Sequence, residues 1–387
     1  MSNSQITFAC IGAWGYRTDE PEHGFTICVY DPQAGTFTPT DSILPYIRVG
    51  GTCLHPTLPV LYCTDECFDS HPEGGGQILA LRLHSDTGAA EELSRLPSFG
   101  CAPSYCAIDT SGKTLLVSNH AGNGMITRTE QDGSGCYHLV RQYDEANVTL
   151  FPLREDGSIA PPCDIVRLTK ITPHGRRKHP MPHSVMASPD GKVFLVCDFG
   201  SDMIYTFTID YETGKLVMTN SGAVFQGETG SAPRYSTFHP SKPYVNTNNE
   251  DTPYVYSFRY QPDGQMRLLG KTAAVAPDAP ADQLPLISDI RIHPTGRWVY
   301  NLSRAYNTVT VLAVDEDTGI LSRQQILPLS GDFPKGCCVS PDGRFLHIAM
   351  KKSGEVLTYP IAGDGSLLPL SHRLEVLNAA NITFFPI

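Results

Sequence analysis

The chain has 387 residues, is 41% hydrophobic and 18% charged, and carries a net charge of −11. That composition is too apolar for disorder, and the acidic balance argues against a general nucleic-acid or anionic-membrane surface, since both need a basic field. Its 34 Gly and 31 Pro point to many tight turns rather than long helices.

The chain opens on Met-Ser-Asn-Ser-Gln, with neither a basic nor an apolar leader segment, so a cytoplasmic protein with reduced cysteines is expected. No apolar run reaches the ~18 residues of a transmembrane helix. The stretches ITFACIGAW and FTICVYDPQAGTF follow, and they match the later half of a unit that then repeats. Each unit is a short apolar strand, a Pro- or Gly-containing turn, and a second apolar strand. The turns are HPTL (55–58), DTSG (109–112), SPDG (188–191), HPSK (239–242), HPTG (293–296) and SPDG (340–343). A third strand, a tight Asp/Gly turn and a fourth strand complete the unit, as in TVTVLAVDEDTGIL. Four strands in about 50 residues is the pattern of a β-propeller blade. The longer interval between the second and third turns holds polar stretches near 127–146 and 163–182, read as loop insertions. The chain closes on an orphan strand, ITFFPI. A split blade built from both termini accounts for the partial unit and the orphan together. The expectation is an all-β, single-domain, seven-bladed propeller over residues 1–387, at about 55 residues per blade.

Propeller symmetry then locates a site. With the last residue of each turn as position 0, positions −8 and +8 lie at the same end of the blade, away from the turn. The inner strands line the central channel, so these positions converge on one channel mouth. Position +8 holds Glu66, His120, Phe199, Glu250, Arg304 and Lys351; position −8 holds Gly50, Ser104, His183, Arg234, Ser288 and Lys335. Strand ends reach water, so some polarity there is ordinary. A His, a Glu, two Arg and two Lys at equivalent positions instead describe a cup with acid–base groups and fixed positive charge. The run His-Gly-Arg-Arg-Lys-His (174–179) leads into His183, so Arg176 and Arg177 are expected to overhang the mouth. Local positive charge in an acidic protein suggests a small anionic ligand.

The cysteine pairs Cys63/Cys67 and Cys337/Cys338 lack a second pair at zinc-site spacing, and buried thiols are the better reading. No metal or cofactor is expected. There is no Walker A or dinucleotide fingerprint and no Gly-x-Ser-x-Gly elbow.

With these residues in view, the chain resembles the lactonase-family seven-bladed β-propellers, which include the propeller type of 6-phosphogluconolactonase and the carboxymuconate lactonizing enzymes. The resemblance rests on PHSVMASPDGKVFLVCDFGSDMI, on APRYSTFHP with Glu250 sixteen residues after Arg234, on SDIRIHPTGRWVYNLSRAYNTVTVL and on KGCCVSPDGRFL. It implies a site of His183, Arg234, Glu250 and Arg304. Where the family often has Pro-Arg-His, this chain has Arg234 followed by Tyr235. The implied activity is hydrolysis of an anionic sugar lactone by a monomeric enzyme. His183 or Glu250 would act as base, Arg234 or Arg304 would stabilise the oxyanion, and His120, Glu66, Lys335 and Lys351 would contact substrate. Carboxymuconate cyclization needs the same groups and stays open. So does a non-catalytic interaction platform, although the chain lacks a Trp-Asp repeat and has only two Trp.

Overall fold

The computed structural model describes residues 7–15, 24–122, 124–169, 179–219 and 230–385. Strands form seven four-stranded sheets there, plus one two-stranded hairpin, and no helix is present among the described residues. None is therefore long and apolar enough to cross a membrane.

Six blades follow the order of the sequence repeat. Their innermost strands are Val49–Leu54, Pro103–Ile108, Pro182–Ala187, Pro233–Phe238, Ile287–Ile292 and Pro334–Val339. The closing blade takes its innermost strand, Ala379–Phe384, from the C-terminal end. Its other three strands are Thr7–Ala13, Phe25–Asp31 and Thr36–Ile43. The seven innermost strands touch in a ring, each against its two neighbours. The expected seven-bladed propeller with a split closing blade is thus observed.

Burial follows from this stacking. The second strand of a blade is covered on both faces by the flanking blades, so Val60–Asp65, Trp298–Ser303 and Phe345–Met350 are buried throughout. Outer strands alternate or face water, as in Ala90–Pro97. The Gly of the SPDG and HPTG turns takes a left-handed conformation, φ 65° at Gly191 and 79° at Gly296. A Cβ at Gly296 would meet the His239 ring at 2.3 Å, so glycine is required there by conformation and by space.

In the interval between the second and third turns, Met125–Gln131 and Tyr137–Tyr143 form the separate exposed hairpin. Asp164–Arg167 is the outermost strand of the blade whose innermost strand is Pro103–Ile108. Residues 170–178 lie outside the described part. All twelve cysteines are free thiols. Cys63 and Cys67 are buried, and Cys67 Sγ donates to Asp65 Oδ1 at 3.1 Å.

Candidate active site

A register irregularity recurs at the channel mouth in every blade. Pro103 pairs with Asn119 and Tyr105 with Ser118, which leaves Ser104 as the extra residue. Similar bulges fall at His183, Arg234 and Lys335, and near Gly50 and Ser288. A bulge adds one residue to one strand and re-aims its side chain. It also strands a backbone N–H, which here finds a side chain: Gly51 N–H donates to Thr64 Oγ1 at 2.8 Å and Tyr235 N–H to Asn248 Oδ1 at 3.0 Å. Three of the −8 residues, His183, Arg234 and Lys335, are thus bulged residues whose side chains open onto the channel mouth. Where the −8 residue is serine it links neighbouring blades, Ser104 Oγ donating to His183 O at 2.8 Å and Ser288 Oγ to Pro334 O at 2.7 Å.

The mouth opens on a cavity of about 570 Å³ whose lining includes His120, His183, Glu66, Glu250, Arg234, Arg304 and Lys335. Seven of the residues expected from sequence thus share one cavity. Lys351 stands beside it, its ammonium 4.2 Å from the Trp14 ring centre and 5.7 Å from that of Phe333. Arg176 and Arg177 lie outside the described residues, so their expected place over the mouth is not observed.

Five lining residues were missed by the sequence reading, Phe68, Ala102 and Met181 together with Trp14 and Arg48, the two among them that carry polar side-chain groups. Trp14 is the +8 residue of the closing blade. Its N–H bonds Asn378 O at 2.9 Å, as His120 N–H bonds Ala102 O and Lys351 N–H bonds Phe333 O. Aligning ITFACIGAW with the second strand of the repeat would have found it. Arg48 lies two residues before position −8 of its blade, off both positions of the count.

Glu250 ties the two arginines together. Its Oε2 accepts from Arg234 Nε at 2.8 Å and from Arg304 at 2.9 Å. Arg234 also donates to Ser288 O at 2.6 Å, and Arg304 Nε to Leu286 O at 2.8 Å. Both guanidiniums are thereby fixed in orientation. The Arg304 side chain keeps 11% exposure against 2% for Arg234, so Arg304 is the more accessible to a ligand.

His183 packs edge-on against His120 at 5.4 Å, and against Phe199 and Tyr235. Burial holds its basicity well below the ordinary imidazole value, and Arg234, His120, Lys335 and Arg304 push the same way. The ring is therefore neutral at neutral pH, and its Nδ1 is buried with no hydrogen-bond partner among the described residues. His120 Nδ1 lies 2.7 Å from Ala121 O, so that nitrogen carries an N–H and donates to the carbonyl. Burial also pulls the Lys335 ammonium down to about 7, helped by Arg234, and raises the Glu66 carboxyl against the pull of Lys335 and Arg48. Among the described residues no group of three or more His, Cys, Asp or Glu could hold a metal ion.

The description "Lactonase, 7-bladed beta-propeller" belongs to the family model that matches residues 15–384. The chain is a member of that family. This propeller is 24% identical over 288 residues to the 6-phosphogluconolactonase of Bacillus subtilis (strain 168), which is 74% of either chain. Among solved structures it is similar to the periplasmic gluconolactonase of Pseudomonas aeruginosa, with a TM-score of 0.83 at 20% identity over 98% of this chain and 99% of that one. A Lactobacillus plantarum protein gives a TM-score of 0.80 at 22% identity, covering 98% and 100%. At these identities the structural likenesses carry the fold. The family expected from sequence is the family found.

Proposed function

We propose that the protein hydrolyses an anionic sugar lactone at the channel mouth. The observation that carries this reading is the arrangement in one cavity of a neutral, buried histidine, His183, beside two oriented guanidiniums. The B. subtilis relative, named for lactone hydrolysis, supports the substrate class. His183 takes the proton from the attacking water, because its ring is neutral and lines the cavity beside Arg234 and Arg304. Glu250 has its Oε2 engaged by both arginines, which suits it to positioning them rather than to proton transfer. Arg304 faces the oxyanion of the tetrahedral intermediate, and Arg234 holds the Glu250 carboxylate in place. The proton reaches the ring oxygen as the C–O bond breaks, giving the open-chain acid. A reactive δ-lactone asks little more of an enzyme.

Base uptake in a pH-stat at mildly acidic pH, where spontaneous opening is slow, tests the reading. Wild type is expected to turn over 6-phosphoglucono-δ-lactone or glucono-δ-lactone, and His183→Ala to lose about 10²- to 10⁴-fold in kcat. The melting temperature of the variant should stay within a few degrees. No turnover of either lactone by folded wild type sinks the hydrolase reading, and carboxymuconolactone is then the substrate to try.

A further inference from the structure

Arg234 is held by more than Glu250. In the strand Pro233–Phe238, Pro233 pairs with Asn249 and Tyr235 with Asn248, which leaves Arg234 as the bulged residue. The bulge takes the backbone N–H of Tyr235 out of the ladder, and Asn248 Oδ1 accepts it at 3.0 Å. The other end of the same amide reaches the next blade, whose inner strand is Ile287–Ile292. There Asn248 Nδ2 donates to Asn301 Oδ1 at 3.2 Å and lies 3.5 Å from Ser288 O. Ser288 O also accepts from the Arg234 guanidinium at 2.6 Å. One fully buried side chain therefore holds both the bulge that carries Arg234 and the blade on which its guanidinium rests.

Two comparisons within the molecule single Asn248 out. Six residues after the turn of another blade, Thr64 Oγ1 caps the equivalent bulge, accepting from Gly51 N–H at 2.8 Å. That hydroxyl bonds nothing in a neighbouring blade among the described residues. Asn248 adds the second bond. Within its own strand, Tyr244–Asn249, four buried polar side chains follow one another. Asn246 accepts from Ser257 at 2.9 Å, Thr247 Oγ1 lies 2.8 Å from Ser236 Oγ, and Asn249 donates to Tyr254 O at 2.9 Å, all inside one blade. Asn248 alone of the four crosses to the next blade among the described residues. The same joint carries the bonds from Arg234 to Ser288 and from Arg304 to Glu250, so the amide sits behind the two guanidiniums without entering the cavity.

We propose that Asn248 is a positioning residue for Arg234. It fixes the bulge and the joint between the two blades, and so keeps Arg234 and Arg304 on one carboxylate. Its effect on turnover rests on the hydrolase reading; its effect on the guanidinium does not.

Asn248→Leu, close to asparagine in shape, removes both bonds, and Asn248→Thr restores the cap in the manner of Thr64. The first readout is the Arg234 Nε–H resonance in isotope-labelled protein, identified by its loss in Arg234→Lys. In wild type this N–H is buried and donated to Glu250, so slow exchange with water is expected. Exchange should be faster by about tenfold in Asn248→Leu, with Asn248→Thr between the two. The second readout is kinetic. On the lactone that wild type turns over, kcat should fall by about tenfold in Asn248→Leu at unchanged KM, and recover in part in Asn248→Thr. Both variants at wild-type values overturn the proposal even if their melting temperatures fall, since a merely structural asparagine would give that result. Asn248→Thr no better than Asn248→Leu also overturns it, because lost packing would then explain both. If Asn248→Leu does not fold, Asn248→Thr is read against wild type: faster exchange supports positioning, and wild-type exchange overturns it. Turnover is scored separately. If wild type turns over neither lactone, the hydrolase reading fails, and the exchange of Arg234 Nε–H still decides whether Asn248 positions it.

Discussion

Histidines at the two ends of the propeller live under different rules. At the turn end, His55 Nε2 lies 3.1 Å from Gly112 O of the next turn, and His293 Nε2 lies 2.9 Å from Gly343 O of the turn after it. The other ring nitrogen caps its own turn, His55 Nδ1 accepting from Leu58 N–H at 2.9 Å and His239 Nδ1 from Lys242 N–H at 3.0 Å. These rings latch turns and neighbouring blades. At the mouth, His183 is as deeply buried but has a ring nitrogen with no partner among the described residues. Burial alone therefore does not mark a functional histidine. His183 differs from these turn-end rings in a buried nitrogen left unmatched by the described residues, which costs free energy unless a ligand or water offsets it.

The comparison predicts that substitutions at the two ends move different quantities. Glu250 tests its limit, since it serves orientation and stability together. Glu250→Ala leaves Arg234 buried without its carboxylate and is expected to cost about 3–5 kcal/mol in urea unfolding. Glu250→Gln, which keeps an acceptor, should cost clearly less.

His347 sharpens the comparison through pH. It lies buried among Tyr30, Phe37 and Phe384, with Thr358 Oγ1 2.9 Å from Nδ1. Burial lowers its pKa from 6.5 to about 3. The unfolded chain therefore binds the extra proton between those values. The stability from a neutral His347 is complete above pH 6.5 and is lost as pH falls toward 3. By pH 5 this amounts to about 2 kcal/mol. Unfolding of wild type at pH 7 and pH 5 should show a drop larger by that amount than in His347→Gln; equal drops would remove His347 from the acid response.

The smallest effect is expected at the turn end. His293→Ala removes the bond to Gly343 and should cost about 1 kcal/mol while kcat is unchanged. A fall in kcat with stability intact would erase the distinction between the two ends.

The fold was legible because turn chemistry repeats. Gly at φ > 0 after Pro-Asp or Pro-Thr marks three of the six inner hairpins, related four-residue turns mark the other three, and counting eight residues either way reaches one mouth. That count placed His120, His183, Arg234, Glu250, Arg304, Glu66 and Lys335 in the same cavity before any coordinates. It failed for Trp14 for a topological reason. The inner hairpin of the closing blade has no turn, because its strands come from opposite ends of the chain, so there is no position from which to count. Arg48 was missed because its side chain enters from the residue before the strand rather than from the bulge. The bulges themselves depend on backbone register, which side-chain pattern does not encode. Nor does sequence distance show that Glu250 would engage both arginines, since that depends on how two blades stack.

The split closing blade also gives the site a place in time. The backbone N–H of Trp14 is held by Asn378 O, and the strand ending at Ala13 pairs with Ala379–Phe384. A nascent chain therefore cannot bring Trp14 into the cavity lining until synthesis has passed Phe384 and the ring has shut. Contacts so distant in sequence form slowly. Until they do, Thr7–Ala13 presents a bare strand edge open to wrong partners. Anything that binds at the mouth would reward the closed ring alone, so a small anion present during synthesis would act as a selector for finished molecules.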